Sequence, residues 1–462
     1  MPKDKLLFDV GHQSYTHKLL TGRKNDFDKL RKKDGISGFP KTQESIFDCA
    51  NSGHASTSLA ISNGIATAQD VSTSKVITLL GDGALTGGLC MEAFNNFERC
   101  DTNNRIIILN DNDMAISKNV GFVDKFLKQI KFSGDTSFFD AFGIEYYGIV
   151  DGHDFNQLIK ALTYAKTSKK SIFVHIATKK GKGYEVAEKN PMTYHGYPST
   201  KFNPISFSSI VGQKLVELAE NNKNIVAVTA AMEDGTGLTE FAKKFPTRFY
   251  DVGIAEGYAA TFCAGLSLGG KKPYFAVYST FLQRAYDGII HDICLNNIPA
   301  VICLDRSGFV AYDGETHQGI YDISFLRCLP KINIICPKDQ KEMQNALEFS
   351  VNFDAPLVIR YPKGYINYEY EKMLQTEKFQ LGKWQLLTQN NSDIYLVACG
   401  AEMCAQAMMC ADLLSEENGI LINVVNANSI KPLDNAMLDK LANKTIITLE
   451  DNTVLGGFGS SV

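Results

Sequence analysis

Short, unbroken runs of Val, Ile, Leu and Ala recur along this chain, and longer stretches with helical patterns separate them. Strands that are buried on both faces read as continuous apolar runs. Parallel strands also need crossover connections, which are usually helices. We therefore predict an α/β fold whose parallel sheets are covered by helices on both faces. The runs span residues 75–80, 105–110, 171–177, 224–230, 273–278, 300–305, 332–336, 393–399, 420–426 and 445–450.

Two polar stretches interrupt this alternation and mark predicted domain boundaries. Residues 189–204 contain three prolines among Thr, Tyr, Ser and Asn, and residues 367–382 also break the pattern. A chain of 462 residues is long enough for several domains of ordinary size. We predict three α/β units, over residues 1–200, 201–368 and 378–462, of which the last is short for a domain.

Charge and cysteine usage exclude several classes of function. The 47 basic and 51 acidic residues give a net charge of −4, which leaves no positive excess for binding nucleic acid or an anionic membrane. The apolar runs are much shorter than the roughly 20 residues of a membrane-spanning helix, and residues 1–9 contain no signal-peptide core. Eleven scattered cysteines without a CxxC pair favour a reducing compartment and argue against zinc. We predict a cytoplasmic protein that acts on small molecules, with no nucleic-acid or membrane partner.

Two polar motifs follow neighbouring predicted strands, with a predicted helix over residues 85–99 between them. GDGA (81–84) comes directly after one strand, and NDND (110–113) directly after the next. Because the carboxyl ends of parallel strands share one sheet edge, the motifs can converge. Asp82, Asn112 and a loop carbonyl near Met114 would then supply the oxygen ligands that Mg²⁺ prefers beside a diphosphate. Either motif alone is better explained as a plain turn, but the pair favours a metal–diphosphate site.

Eight segments of the chain stand out: DVGHQSYTHKLLTGR (9–23), SGHASTS (52–58), GDGALTGG (81–88), NDNDMAIS (110–117), VDGHD (150–154), KKGKGYEVAEK (179–189), YSTFLQRAYD (278–287) and DGETHQG (313–319). Together they resemble the 1-deoxy-D-xylulose-5-phosphate synthase family of transketolase-like enzymes, and the similarity runs in the right order from Lys5 to the last residue. The resemblance implies a three-domain transketolase-like fold with an incomplete third domain, and thiamine diphosphate and Mg²⁺ as cofactors. It also implies condensation of pyruvate with glyceraldehyde 3-phosphate, with loss of CO₂, in isoprenoid precursor synthesis.

The resemblance further implies which residues contact the cofactor. Glu256 would hold a proton at the aminopyrimidine ring, which activates the cofactor. Taken alone, Glu256 is an ordinary acidic residue in a first helical turn, Ser56 is an ordinary helix N-cap, and Tyr184 is an ordinary half-buried tyrosine. The implied cofactor contacts are His12, Gly53, His54, Ala55, Ser56, Gly83, Ala84, Asn112, Tyr184, Glu256 and Phe281, and the implied metal ligands are Asp82, Asn112 and Met114.

Substrate-binding and catalytic residues follow from the same resemblance. Arg284 and Lys363 would hold the phosphate of glyceraldehyde 3-phosphate. Asp313 and His317 would meet hydroxyl and carbonyl groups, although their spacing alone is equally typical of an exposed loop pair. His153 is predicted to shape a turn. The implied substrate contacts are Tyr278, Arg284, Asp313, His317, Lys363 and His195, and the implied catalytic residues are Glu256, His12, His317 and Asp313.

The chain departs from the family pattern in several places. Family members extend further toward the N terminus, where they carry a substrate-facing histidine. The family's AEQH is AEGY here, so that Gly257 and Tyr258 follow the activating glutamate. The segment after Val120 is much shorter than the family's insert, and Lys363 replaces a common Arg, which trades a bidentate fork for a point charge. Two alternatives therefore stay open: a remnant that binds cofactor or dimerises without catalysis, and another transketolase-like thiamine enzyme.

Two helices rich in Ala, Gly and Ser are predicted over residues 56–70 and 259–268. Because they carry few large side chains, they should pack closely against other helices. In transketolase-like families such helices lie at a subunit interface, and two-fold dimers are the commonest homo-oligomers. The resemblance therefore implies a homodimer.

Overall fold

The computed structural model divides the chain into two compact units. Unit 1 comprises Met1–Lys201, Val252–Ala255 and Tyr312–Thr316, and unit 2 comprises Phe202–Asp251, Glu256–Ala311 and His317–Val462. Most of the two predicted boundary stretches, residues 196–204 and 365–378, lie outside the described residues. The structure describes residues 3–68, 74–100, 103–115, 119–192, 194–195, 205–311, 313–364 and 379–462, without the side chains of residues 11 and 12.

Unit 1 is built on a five-stranded sheet in the order β1-β2-β3-β5-β4, in which all pairings are parallel. The three apolar runs predicted here are confirmed as β2, β3 and β5, because their Val, Ile and Phe side chains are buried beneath helices. The pattern does not reveal β4, since most residues of EYYGIVD are only partly buried or exposed. The strands are β1 (Lys5–Asp9), β2 (Val76–Gly81), β3 (Arg105–Asp111), β4 (Glu145–Asp151) and β5 (Ile172–Ala177).

The two helices predicted in unit 1 both differ from the structure, one in continuity and one in its first residue. The prediction of a single helix over residues 85–99 is wrong, because Gly87 adopts an extended backbone (φ −72°, ψ 144°) that separates α3 from α4. The helix predicted over residues 56–70 is α2, which begins at Ser58. The helices are α1 (Tyr15–Lys18), α2 (Ser58–Ala68), α3 (Asp82–Leu85), α4 (Gly88–Asn95), α5 (Phe122–Ser133), α6 (Ser137–Asp140), α7 (Phe155–Thr167) and α8 (Glu185–Lys189), with 3₁₀ or π turns at Gly11–Ser14, Leu19–Arg23, Lys24–Lys29 and Glu98–Cys100.

Unit 2 contains two sheets, ordered β15-β10-β11-β9-β8-β6-β7 and β12-β14-β13-β16. The predicted parallel pairing needs a correction at two edge strands, because β15 runs antiparallel to β10 and β12 antiparallel to β14. The strands are β6 (Ile225–Thr229), β7 (Phe249–Asp251), β8 (Lys272–Tyr278), β9 (Val301–Ser307), β10 (Asn333–Ile335), β11 (Leu357–Pro362), β12 (Gln385–Thr388), β13 (Ile394–Ala398), β14 (Asn423–Asn426), β15 (Ser429–Lys431) and β16 (Thr445–Leu449).

Helices pack against both sheets of unit 2 and enclose its apolar cores. Among the helices of the described ranges, none is both long and apolar enough to cross a lipid bilayer. The helices are α9 (Phe207–Asn221), α10 (Thr239–Lys244), α11 (Glu256–Leu268), α12 (Ser279–Leu282), α13 (Tyr286–Gly288), α14 (Asp322–Arg327), α15 (Gln340–Val351), α16 (Ala401–Asn418) and α17 (Asn435–Leu441), with 3₁₀ or π turns at Pro246–Arg248, Gln283–Ala285, Ile289–Cys294 and, across the unit border, Glu315–His317.

Buried polar groups join residues 379–462 to the preceding part of unit 2. Arg360 on β11 pairs with Asp322 at 3.0 Å and with Asp451 at 2.7 Å. Asn428 donates a hydrogen bond to the carboxylate of Glu342 at 2.5 Å. The predicted third unit is therefore packed onto the second through fully buried, paired side chains.

Candidate active site

The three predicted metal ligands lie together at the carboxyl end of the unit 1 sheet. Gly81 of β2 is in register with Asn110 of β3, which places Asp82 beside the following loop. The Asp82 Oδ2 atom accepts hydrogen bonds from the backbone N–H groups of Asn112 at 2.9 Å and Met114 at 3.1 Å. Strand register thus achieves the convergence that the sequence predicts.

The electrostatics of this loop fit a divalent cation. Burial and the nearby Asp111 carboxylate raise the pKa of Asp82 to about 6, so a metal ion would relieve two closely spaced negative charges. Burial opposes ionisation of Asp111, but hydrogen bonds from His175 and Lys131 outweigh it and lower the pKa of Asp111 to about 2. Within the described residues, no cluster of three His, Cys, Asp or Glu side chains could hold a metal. Mg²⁺ instead favours oxygen ligands, such as one carboxylate together with amide and carbonyl oxygens. Phosphate oxygens then fill the remaining coordination positions.

Gly83 keeps this loop compact at the start of α3. A Cβ at position 83 would meet the Ala115 Cβ at 2.6 Å, so a side chain there would displace the backbone that carries Met114. The Lys180 amine donates to the Ala115 carbonyl and lies 2.9 Å from His195 Nδ1. Burial lowers the pKa of Lys180 to about 8, although Asp82 opposes this shift. Sequence reasoning missed Lys180, although it lies within the KKGKG segment that carries the family resemblance.

The GHAS segment enters α2 through a different cap from the one predicted. The N–H groups of Ser56 and Ser58 donate to the carboxylate of buried Asp9 at 2.8 and 3.1 Å. The Ser56 hydroxyl donates instead to the Ala84 carbonyl at 2.8 Å, and the φ of Ser56 is +72°. The interpretation of Ser56 as an N-cap is therefore wrong, because Asp9 of β1 already serves that helix end.

His54 links this segment to the DGETHQG loop. Its Nε2 atom lies 2.9 Å from the carbonyl oxygen of Thr316, within unit 1. Two acidic residues of the same loop pair with basic side chains from the N-terminal part of unit 1. Asp313 lies 3.9 Å from Arg31, and Glu315 lies 2.9 Å from Lys41. Two segments that are about 260 residues apart in sequence are thus neighbours in unit 1.

Glu256 occupies the first turn of α11 and is only 4% exposed. Burial raises the pKa of its carboxyl group, and the opposing charge of Arg284 does not cancel the shift. Arg284 Nη1 lies 3.5 Å from Glu256 Oε2. The structure therefore places Arg284, which the resemblance implied as a phosphate ligand, against the carboxyl group of Glu256.

An aromatic cluster with a cation lies at the carboxyl ends of β8 and β9. The ring of Phe281 lies 6.0 Å from that of Tyr278 and 5.4 Å from that of His317. The Arg306 guanidinium covers the Tyr278 ring at 3.5 Å, and the φ of Arg306 is +54°. Such backbone conformations in non-glycine residues cluster at functional sites. Sequence reasoning missed Arg306, which its position directly after the predicted strand 300–305 could have indicated.

A close glycine contact and a buried carboxyl group lie beside this cluster. A Cβ at Gly235 would lie 1.6 Å from the Tyr278 hydroxyl, so only glycine allows this approach. Burial raises the pKa of Asp305 to about 7, and a hydrogen bond from Ser208 and the charge of Lys363 oppose the shift. The charge of Lys363 therefore acts on Asp305, which directly precedes Arg306 in β9.

The remaining predicted residues have simpler surroundings. Tyr184 is 55% exposed, and its ring lies 5.7 Å from that of Tyr194. His153 accepts a hydrogen bond from the Lys179 N–H at 2.9 Å in the turn after β4. Tyr258 stacks on Phe262 at 5.5 Å on the exposed side of α11. The side chain of His12 lies outside the part of the chain that the structure describes.

Family models match almost the whole chain in three consecutive parts. The model described as 1-deoxy-D-xylulose-5-phosphate synthase matches residues 1–137 and 131–178. The model of the transketolase pyrimidine binding domain matches residues 203–368, and that of the transketolase C-terminal domain matches residues 382–462.

Curated relatives are similar over the full chain. A 1-deoxy-D-xylulose-5-phosphate synthase of Clostridium perfringens is 44% identical over 512 aligned positions, which cover 100% of this chain and 82% of that protein. One of Clostridium kluyveri is 44% identical and covers 99% of this chain and 81% of its own length. Among solved structures, one described as a split gene transketolase, inactive beta4 tetramer, has a TM-score of 0.50 and 30% identity, and covers 56% of this chain and 84% of its own.

The alignment also bears on the segment after Val120. With 512 aligned positions against a chain of 462 residues, about 50 positions of the Clostridium perfringens relative have no counterpart here. The N-terminal family model matches as two segments that overlap at residues 131–137. The two model segments meet at the C-terminal end of α5, and the shortened segment after Val120 stays a prediction.

Proposed function

Since this chain belongs to the 1-deoxy-D-xylulose-5-phosphate synthase family of thiamine-diphosphate-dependent transferases, we propose that it condenses pyruvate with glyceraldehyde 3-phosphate to 1-deoxy-D-xylulose 5-phosphate, with release of CO₂. The observation that carries this proposal is the 44% identity over the whole chain to enzymes of that name. The product would serve isoprenoid precursor synthesis. We also propose that the chain has three domains, over residues 1–200, 201–368 and 378–462.

Unit 1 would hold Mg²⁺ and the diphosphate group. The Asp82 carboxylate, the Asn112 amide oxygen and the Met114 carbonyl would coordinate the metal. The three residues are already held in one loop, because the backbone N–H groups of Asn112 and Met114 donate to Asp82 and the Met114 N–H also donates to the Asn112 amide oxygen. His54 and Gly83 would contact the phosphates. When bound, thiamine diphosphate supplies a nucleophilic carbon for the pyruvate carbonyl and an electron sink for loss of CO₂.

Unit 2 would supply proton transfer and substrate binding. The buried carboxyl group of Glu256 would hold a proton at the aminopyrimidine nitrogen, and Arg284 would keep its pKa from rising further. Arg306 and Lys363 would hold the phosphate of the aldehyde, with Tyr278 positioned beneath the Arg306 guanidinium. In the same reaction His317, Asp313 and His12 would meet the carbonyl and hydroxyl groups of the substrates, and His195 would approach the thiazolium ring.

Location and assembly complete the proposal. All eleven cysteines are free thiols, most of them buried, which suits a reducing cytoplasm. The exposed side of α11 carries Tyr258 and Leu268, at 59% and 76% exposure, which suits coverage by a second copy of the chain in a homodimer.

The substitution Glu256→Gln tests the proposed chemistry. It keeps the size of the side chain but removes the ionisable group, so thiamine diphosphate should still bind while pyruvate-dependent CO₂ release falls by roughly 10²–10⁴-fold. The exposed variant Glu348→Gln serves as the control. Unchanged CO₂ release in Glu256→Gln would refute the role, and cofactor binding without CO₂ release in the natural chain would support the non-catalytic alternative.

A further inference from the structure

Helix α5 carries a cation to the loop that contains the proposed metal ligands. The Lys131 Nζ atom lies 3.0 Å from Asp111 Oδ2 and 3.0 Å from Asp113 Oδ1. These carboxylates lie on either side of Asn112, whose amide oxygen is a proposed ligand. Lys131 therefore bridges the two residues that flank that ligand.

The Asp111 carboxylate is also held by a buried histidine. His175 Nε2 lies 2.8 Å from Asp111 Oδ2, and the Tyr146 hydroxyl lies 2.8 Å from His175 Nδ1. With Nε2 protonated, the histidine donates to Asp111 and accepts from Tyr146. His175 is fully buried in β5, so it provides a rigid support, whereas Lys131 supplies the partly exposed contact.

The C-terminal end of helix α5 lies where the match to the family model is divided into two segments. The family model matches two segments that overlap at residues 131–137, and about 50 aligned positions have no counterpart. The helix is nevertheless anchored to unit 1, because Phe126, Leu127 and Ile130 are buried in its core. Lys131 directly follows Ile130. The buried Ile130 side chain therefore fixes the turn of the helix from which the Lys131 side chain extends.

On the basis of the proposed function, we propose that Lys131 is a positioning residue for metal binding. Its amine neutralises Asp111 and Asp113, which would otherwise repel each other across Asn112. The loop then keeps the Asn112 amide oxygen and the Met114 carbonyl beside Asp82. Lys131 does not itself touch the metal, and its effect is that of an outer-shell residue that orients the ligands.

Binding of Mn²⁺, which can stand in for Mg²⁺ and is visible by electron paramagnetic resonance, tests this role together with thiamine diphosphate. We expect Lys131→Met to weaken Mn²⁺ binding by about 10-fold or more, and Lys131→Arg to restore most of it. Lys128→Met is the matched control, because Lys128 lies one turn earlier on α5 and pairs at 2.8 Å with Asp124 instead. Unchanged affinity in Lys131→Met, or equal loss in Lys128→Met, would overturn the proposal.

Amide hydrogen exchange separates this inference from the proposed function. In the chain without metal or cofactor, Lys131→Met should speed exchange at the amides of residues 112 and 114, while the core amides of β3 and β5 keep their protection. Unchanged exchange at the loop would count against the positioning role. Failure of the natural chain to bind Mn²⁺ with thiamine diphosphate would refute the proposed function, and the exchange result would still decide whether Lys131 orders the loop.

Discussion

Asp82 directly follows β2, and Asp111 is the last residue of the neighbouring strand β3. The two carboxylates nevertheless have hydrogen-bond partners of different charge. Asp111 faces His175 and Lys131, whereas Asp82 accepts hydrogen bonds from neutral backbone amides. A buried carboxylate that is bonded to amides keeps a net negative charge, which favours a cation. Asp82 is therefore the residue at which metal binding and stability are most closely linked.

Replacing Asp82 should affect stability in a pH-dependent way. The pKa of Asp82 in the folded protein is about 6, above the ordinary 3.8, so ionisation destabilises the metal-free fold as pH rises through about 6. We expect Asp82→Asn to raise the free energy of unfolding at pH 8 by roughly 1–3 kcal/mol, to lose this advantage below pH 4, and to abolish Mg²⁺-dependent cofactor binding. Urea unfolding at both pH values measures the effect, with the surface variant Asp140→Asn as control. An equal effect at both pH values would contradict this account.

Arg306 should govern binding of the aldehyde substrate. Because its guanidinium is held over Tyr278 and Lys363 is near, loss of the charge should raise the KM for glyceraldehyde 3-phosphate by about 10–100-fold. The KM for pyruvate, which carries no phosphate, should change much less. Steady-state kinetics of Arg306→Met against the exposed variant Arg99→Met measures the difference. A proportional rise in both KM values would count against phosphate binding.

At the scale of secondary structure, the sequence predicts the strands that read as unbroken apolar runs and misses strands that polar or charged residues interrupt. The runs over 105–110 and 300–305 are found as β3 and β9, because burial on both faces demands unbroken apolar sequence. Strand β11 escapes the pattern because Arg360 interrupts it. Its charge is accommodated by tertiary ion pairs that no local pattern reveals.

The same limit applies to the site. Strand register makes the meeting of Asp82 with Asn112 predictable from two turn motifs, since both follow parallel neighbours. The roles of Arg306 and Lys131 depend on which distant side chains they contact. Only the folded chain supplies those contacts, so sequence reasoning missed both residues.

The ion pairs of β11 should contribute strongly to stability. Arg360 is 3% exposed and pairs with Asp322 and Asp451, so Arg360→Leu leaves two buried carboxylates without their cation. We expect the free energy of unfolding to fall by about 3–5 kcal/mol. Chemical denaturation at pH 7 tests this, with the exposed variant Arg99→Leu as control. A loss below 1 kcal/mol would show that solvent or rearrangement compensates these charges.

At the scale of the whole molecule, the proposed homodimer predicts a measurable mass. Multi-angle light scattering at micromolar concentration should give twice the chain mass of 51.0 kDa. The variant Leu268→Lys places a charge on the exposed side of α11 and should weaken association without unfolding the chain. A monomer that binds thiamine diphosphate would contradict the proposed interface.

The most direct test of the proposed function is to identify the product. The natural chain is incubated with Mg²⁺, thiamine diphosphate, glyceraldehyde 3-phosphate and pyruvate that carries ¹³C at either the carboxyl or the keto carbon. The proposed reaction predicts 1-deoxy-D-xylulose 5-phosphate by mass spectrometry, with the keto-carbon label in the sugar phosphate and the carboxyl label in CO₂. Bound cofactor without any labelled sugar phosphate would contradict the proposed activity.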